Sequence, residues 1–150
     1  MSVQIRRLAR EEMAATSQLY RQIFDATFPW LVGLHTPDED QRYFEGEVYG
    51  NSSLYGIHEN LDLVGLLELK PGWVEKLYIR PDHQGRGLGR RLLDFAKAQD
   101  TELRLWTFER NHIARRFYEA NGFAEIDRTD GRGNDEREPD VLYRWWQAPG

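Results

Sequence analysis

The sequence predicts a single α+β domain over residues 1–150: a mixed, mostly antiparallel sheet of six to seven strands with about four helices packed on both faces. Three observations predict it. Strand-like runs follow one another from Ser52 to Arg80 with only tight turns between them. A glycine-rich segment then leads through a helix to another strand, and the chain closes on a hairpin. A chain of 150 residues has the length of one ordinary domain.

In order, Val3 to Arg7 reads as a short strand, and Glu11 to Phe24 as a helix whose Leu19, Tyr20, Ile23 and Phe24 recur at one-turn spacing. Phe28-Pro29-Trp30 breaks that helix. An aromatic loop runs on to Pro37, and Asp38 to Val48 reads as a second, charged helix. Ser52 to Ile57 and Leu61 to Leu69 are two strands joined at Glu59-Asn60, and Pro71-Gly72 turns the chain into a third, Trp73 to Arg80. A helix from Gly87 to Gln99 carries Leu88, Leu92, Phe95 and Ala96 on one face. It joins that strand to Leu103–Thr107, normally a right-handed parallel crossover. Asn111 caps a further helix that puts Ile113 and Phe117 on one face and stops at Gly122. Phe123 to Arg128 and Val141 to Trp146 form the closing hairpin around a polar loop from Gly131 to Arg137.

Composition narrows the function. With 40% hydrophobic and 30% charged residues and a mean hydropathy of -0.72, the chain can pack a core and solvate its exterior. No apolar run approaches the ~20 residues that span a bilayer, and the N-terminus has no signal-peptide stretch, so no membrane association and a cytoplasmic location are expected. The absence of cysteine removes thiolate ligands and a cysteine nucleophile. His35, His58, His83 and His112 are scattered without the one-turn spacing of a helical zinc site, so no metal is expected. A net charge of -5 argues against a nucleic-acid surface and suits cationic partners such as amines.

The segment Gln84-Gly85-Arg86-Gly87-Leu88-Gly89 stands where the third meander strand passes into a helix. Glycines let a backbone approach a phosphate, and the helix offers its unpaired N–H groups and positive dipole end to an anion. A P-loop needs Gly-Lys followed by Ser or Thr, and Gly89-Arg90-Arg91 supplies neither. The dinucleotide fingerprint needs G-x-G-x-x-G, whereas Gly85, Gly87 and Gly89 are spaced G-x-G-x-G with no convincing ribose-binding acid about 20 residues later. Gln84, Gly87 and Gly89 do fill the pattern Q/R-x-x-G-x-G/A. Further on, Asn111-His112-Ile113-Ala114-Arg115-Arg116-Phe117-Tyr118-Glu119-Ala120-Asn121-Gly122-Phe123 carries an Asn-capped helix, Phe-Tyr-Glu and Gly-Phe. On these two signatures the sequence resembles the GNAT superfamily of N-acetyltransferases. The resemblance covers essentially the whole chain and is thinnest from Phe24 to Gly50.

The resemblance implies acetyl-CoA as cosubstrate, a primary amine as acceptor (a small amine, an amino-acid or peptide N-terminus, or a lysine), and direct transfer in a ternary complex. It also implies a homodimer as one quaternary arrangement, since members are often dimers. The cofactor-binding residues it implies are Gln84, Gly85, Arg86, Gly87, Leu88, Gly89 and Arg90 around the pyrophosphate, the main chain of Leu77, Tyr78 and Ile79 along the pantetheine arm, and Asn111. Each also has an ordinary role, as a helix start, a solvated arginine, a core side chain or a cap.

Acetyl transfer needs a neutral amine, a stabilised oxyanion and a proton for the departing thiolate. Tyr118 matches the family tyrosine beside the CoA sulfur and is the candidate acid; otherwise it is a packed helix aromatic. Glu75 matches a carboxylate that serves as base through water in some members, with Glu68 as the alternative, and strict alternation sets Glu75 on the face of Leu77 and Ile79 unless a bulge intervenes. An acid found on the strand after the crossover helix in some members is missing here, near Trp106. The acceptor is expected against Phe28, Trp30 and Trp145, near Phe24, Tyr43 and the acids Asp38, Glu39 and Asp40. That missing acid leaves a second reading open, a catalytically weak or inactive acyl-CoA-binding sensor of the same fold.

Overall fold

The computed structural model describes residues 2–148. A seven-stranded sheet has the order β1-β2-β3-β4-β5-β7-β6, with β1 Val3–Arg7, β2 Ser53–Glu59, β3 Asp62–Lys70, β4 Trp73–Ile79, β5 Glu102–Phe108, β6 Ala124–Thr129 and β7 Asp140–Trp146. Four helices cover it: α1 Met13–Thr27, α2 Pro37–Tyr43, α3 Leu88–Lys97 and α4 His112–Ala120. The mixed, mostly antiparallel sheet and its helices are those the sequence predicts.

The helices divide between the two faces. On one, Leu92, Leu93 and Ala96 of α3 and Tyr118 of α4 pack over Leu67, Val74, Ile79, Leu105 and Tyr143. On the other, Met13, Leu19 and Ile23 of α1 pack with Phe44, Val48, Leu54 and Leu66. Apolar burial on both faces is the main favourable term in holding the sheet between its helices.

Two local details differ from the sequence reading. The second helix begins at Pro37 behind the Thr36–Glu39 capping box, then passes through a wider π turn, Phe44–Val48, into Tyr49–Asn51. Its acids are structural as well as surface residues. Asp40 is buried and accepts from Arg21 Nε and Nη2 at 2.7 and 2.8 Å, tying α2 to α1, while Glu39 closes the capping box. The β2–β3 turn lies at Asn60-Leu61, both with positive φ.

β3 and β4 pair in register from Gly65↔Ile79 to Glu68↔Lys76, and the register then shifts so that Leu69 faces Val74. Glu75 is therefore the extra residue of a bulge. Beneath it Lys76 donates to Glu68 at 2.9 Å and to the Tyr43 hydroxyl at 2.7 Å, and Ser52 donates to the second Glu68 oxygen at 2.7 Å. Burial alone would lower the Lys76 ammonium, but Glu68 and Tyr43 overcome it and hold its pKa above the ordinary lysine value.

Gly65 on β3 faces Ile79 on β4. A Cβ there would lie 2.6 Å from Ile79 Cδ1 and 2.7 Å from the Tyr78 carbonyl oxygen. Gly65→Ala is expected to lower stability by about 1–3 kcal/mol, seen as a lower urea midpoint at unchanged m-value. An unchanged midpoint would mean that β4 yields without cost.

Candidate active site

β4 and β5 run parallel and share one paired position, Trp73↔Arg104, reinforced by Arg104 N–H to Gly72 O at 2.9 Å. Beyond it the strands part, leaving the outer main-chain edge of β4 from Glu75 to Ile79 without a strand partner among the described residues. Leu77 and Ile79 send their side chains into the α3/α4 core. Tyr78 alternates to the other face, where its ring meets Tyr20 edge-on at 5.4 Å.

At the end of β4 the chain makes a 3-10 turn, Pro81–His83, and enters the glycine segment. Gln84 donates from its side-chain amide to the Ile79 carbonyl at 3.0 Å, which fixes the loop to the strand. Gly85 and Gly87 have φ of 78 and 80°, and a Cβ on either would meet nothing within 4 Å. Glycine is required there by conformation and by access from outside. The first bond of α3 runs from Arg91 N–H to Gly87 O at 3.1 Å. Among the described residues nothing accepts from the backbone N–H groups of Gly85 through Arg90. Such an array at a helix N-terminus is an anion cradle. Leu88 anchors it from beneath as a buried residue. Of the arginines, Arg90 lies exposed 3.9 Å from Asp94, and Arg86 is held 3.4 Å from Glu59.

α4 enters the same cleft. Asn111 caps it, its Oδ1 accepting from Ala114 N–H at 3.2 Å. Tyr118 is 7% exposed and packs on Phe117, Phe123 and Tyr143. Burial raises its phenol well above the ordinary value. Burial raises the Tyr78 phenol likewise, and the neighbouring Tyr20 and Tyr118 phenols add to that rise. Both tyrosines stay protonated across the neutral range.

The bulge overturns the facing expected for Glu75. An inserted residue breaks alternation, so Glu75 lies exposed over the α2 side, in a recess lined by Tyr43, Glu47, Val48, Asn51, Glu68 and Lys70, and away from Leu77 and Ile79. Glu68 is engaged by Lys76 and Ser52. Trp145 is a second correction. Its register partner is Leu103 at the start of β5, and alternation sets it with Val141 and Tyr143 on the α3/α4 face, against Phe123 with the Lys97 ammonium 5.2 Å from its ring. It does not join Phe28 and Trp30. Those two meet at the open end of β5, where Phe28 contacts Phe24 at 4.9 Å, Phe108 at 4.9 Å and Trp30 at 5.8 Å. Phe108 and Tyr20 complete this aromatic row. The sequence reading passed over Phe108, although its place at the end of β5 could have suggested it.

The family model for the acetyltransferase (GNAT) domain matches residues 41–125, from the second helix through the cleft and α4 into β6. The chain belongs to the GNAT family. An uncharacterised N-acetyltransferase from the pepI 3' region of Lactobacillus delbrueckii subsp. lactis is 32% identical over 76 residues, 47% of this chain and 44% of that protein. The chain thus covers less than half the length of that curated relative. Apo YjaB from Escherichia coli superposes with a TM-score of 0.77 at 26% identity, over 99% of this chain and 100% of its own. The PaiA N-acetyltransferase of Thermoplasma acidophilum, solved with coenzyme A, gives 0.77 at 22% identity over 97% and 99%. The matched GNAT segment leaves out α1, the Phe28–Trp30 turn and the β6–β7 loop, which are the parts beside the aromatic row.

Coenzyme A is the natural probe of the cradle. Gly87→Glu puts a side chain and a negative charge in the space that faces it, and forces a residue other than glycine to positive φ at a cost on the order of 1–3 kcal/mol. With far-UV circular dichroism showing the fold intact, calorimetry is expected to find coenzyme A affinity at least tenfold weaker. Unchanged affinity would remove the cradle.

Proposed function

We propose that this protein is an N-acetyltransferase that moves the acetyl group of acetyl-CoA to a primary amine, a small amine, an amino-acid or peptide N-terminus or a lysine, by direct transfer in a ternary complex in the cytoplasm. The observation that carries the reading is the run of free backbone N–H groups from Gly85 to Arg90 at the end of a strand whose outer edge is open, with the Tyr118 phenol in the same cleft. Acetyl-CoA would bring the thioester whose acyl carbon the amine attacks and whose sulfur leaves with a proton.

The residues fit that cosubstrate. Gly85 through Arg90 would hold the pyrophosphate by N–H donation, with Arg90 and Arg86 nearby; the β4 main chain at Leu77, Tyr78 and Ile79 would pair with the pantetheine amides as a strand would, and Asn111 lies at the same opening. Tyr118 holds a proton at its phenol oxygen. Because burial disfavours the phenolate, it is a weak acid but a permanently loaded donor, suited to hydrogen-bonding a thiolate as negative charge grows there. Glu75, placed by the bulge on the face of α1 and α2, is the solvent-connected carboxylate available to take the amine's proton through water. The aromatic row from Tyr20 to Phe28 and Trp30 favours an acceptor with an apolar body, and peptide N-termini and lysine side chains belong to the same chemical class.

The reading is tested by following thiol release from acetyl-CoA against a pooled amine and peptide panel. Acetyl-CoA binding with no thiol release from any acceptor would favour the sensor alternative. Tyr118→Phe is expected to lower kcat roughly 100-fold with the acetyl-CoA KM nearly unchanged, and full activity would end its role as acid. Glu75→Gln should reduce kcat most at the acid end of the pH profile, where the amine is most protonated. A profile superimposable on the parent would leave water alone as base.

A further inference from the structure

The glycine segment is tied to the far side of the sheet as well as to β4. Arg80 N–H donates to Val64 O at 2.8 Å, and the Arg80 guanidinium reaches Asp82 at 2.7 Å and Asp62 at 3.3 Å, so the chain leaving β4 is laid against the β2–β3 turn. His83, in the 3-10 turn, stands 2.7 Å from Asp82 through Nδ1 and 3.8 Å from Glu59 Oε1 through Nε2. Arg86, between the two positive-φ glycines, brings Nη1 to the same Glu59 oxygen at 3.4 Å. Glu59 is the last residue of β2, and its side chain is only 11% exposed. A carboxylate sheltered by the fold therefore meets the segment at two points.

That contact sets the direction of Arg86. β3 and β4 stand between Glu59 and the parted edge of β4, a lateral separation of about 10 Å at ordinary strand spacing. An arginine whose Nη1 lies at Glu59 is turned away from the cleft. Its backbone N–H belongs to the free row, while its guanidinium is engaged elsewhere. Arg90 differs: its 3.9 Å contact with Asp94 is along its own helix, and both side chains are exposed. The space beside Gly85 and Gly87 is open, which leaves room for the Arg86 side chain to swing toward the cradle.

We propose that Glu59 is an internal rival of the coenzyme A phosphates for Arg86, so that it weakens cosubstrate binding and keeps free coenzyme A able to leave. This rests on the cosubstrate reading above. Phosphate oxygens accept the guanidinium fork as a carboxylate does and carry more charge, so they win the exchange. The ion pair broken in that exchange is subtracted from affinity, and the released carboxylate repels the bound phosphates. Glu59 acts through Arg86 and is a positioning residue.

Calorimetric titration of coenzyme A into the protein tests this. Glu59→Gln keeps the shape and removes the charge; it is expected to bind coenzyme A about fivefold more tightly, the scale of a partly sheltered ion pair. Glu59→Asp should fall between it and the parent. In an Arg86→Gln background the Glu59→Gln substitution should change affinity less than about twofold, because the pair is already gone, whereas a merely structural role for Glu59 would not depend on Arg86. Affinity unchanged or weakened by Glu59→Gln, or a gain that persists undiminished without Arg86, overturns the proposal. Failure of the parent to bind coenzyme A would retire the cosubstrate reading itself, while binding that ignores Glu59→Gln retires the Glu59 assignment alone.

Discussion

The parting of β4 and β5 after one shared position governs the rest of the site. Parallel neighbours normally exchange hydrogen bonds along their whole length, and here the ladder ends at Trp73↔Arg104. What keeps the two half-sheets together beyond that point is side-chain packing: Tyr118 and Tyr143 on one face, and Phe28 wedged against Phe108 on the other. The cleft is a place where apolar contacts substitute for main-chain pairing and leave an edge of β4 exposed to whatever enters.

The β4 bulge is the second determinant, and its origin is electrostatic. Counted without interruption from the Pro71-Gly72 turn, β3 and β4 would set Glu68 opposite Glu75, two carboxylates on one face. Inserting one residue sets Glu68 opposite Lys76 instead. The gain is an ion pair sheltered from water and joined by Tyr43 and Ser52. The same insertion turns Glu75 toward α2, so a charge-matching requirement in the sheet decides which acid faces the acceptor side.

Much of this was legible in the sequence, and for identifiable reasons. The glycine segment, the Asn111 cap and the Gly122 stop are local signals whose geometry depends on a few adjacent residues, and they fell where expected. The facing of Glu75 was lost because alternation holds only in an unbroken strand, although the repulsion between Glu68 and Glu75 in the simple register was there to be read. Trp145 was misplaced for a different reason: a hairpin's register depends on the length of its loop, and the long β6–β7 connection hid it. The acids of the second helix looked like a free site for a cationic acceptor, whereas Asp40 and Glu39 are engaged in tertiary and capping contacts that residue spacing does not reveal.

The open N–H row from Gly85 to Arg90 and the unmatched edge of β4 also have a consequence for the protein as a material. A fold normally completes its own hydrogen bonding; this one hands part of that completion to a guest. The empty domain should be mechanically softest along the seam between its half-sheets and should stiffen when the seam is filled, because a ligand that binds only the native state adds its binding free energy to folding. Melting temperature thus becomes a gauge of how fully the seam is occupied.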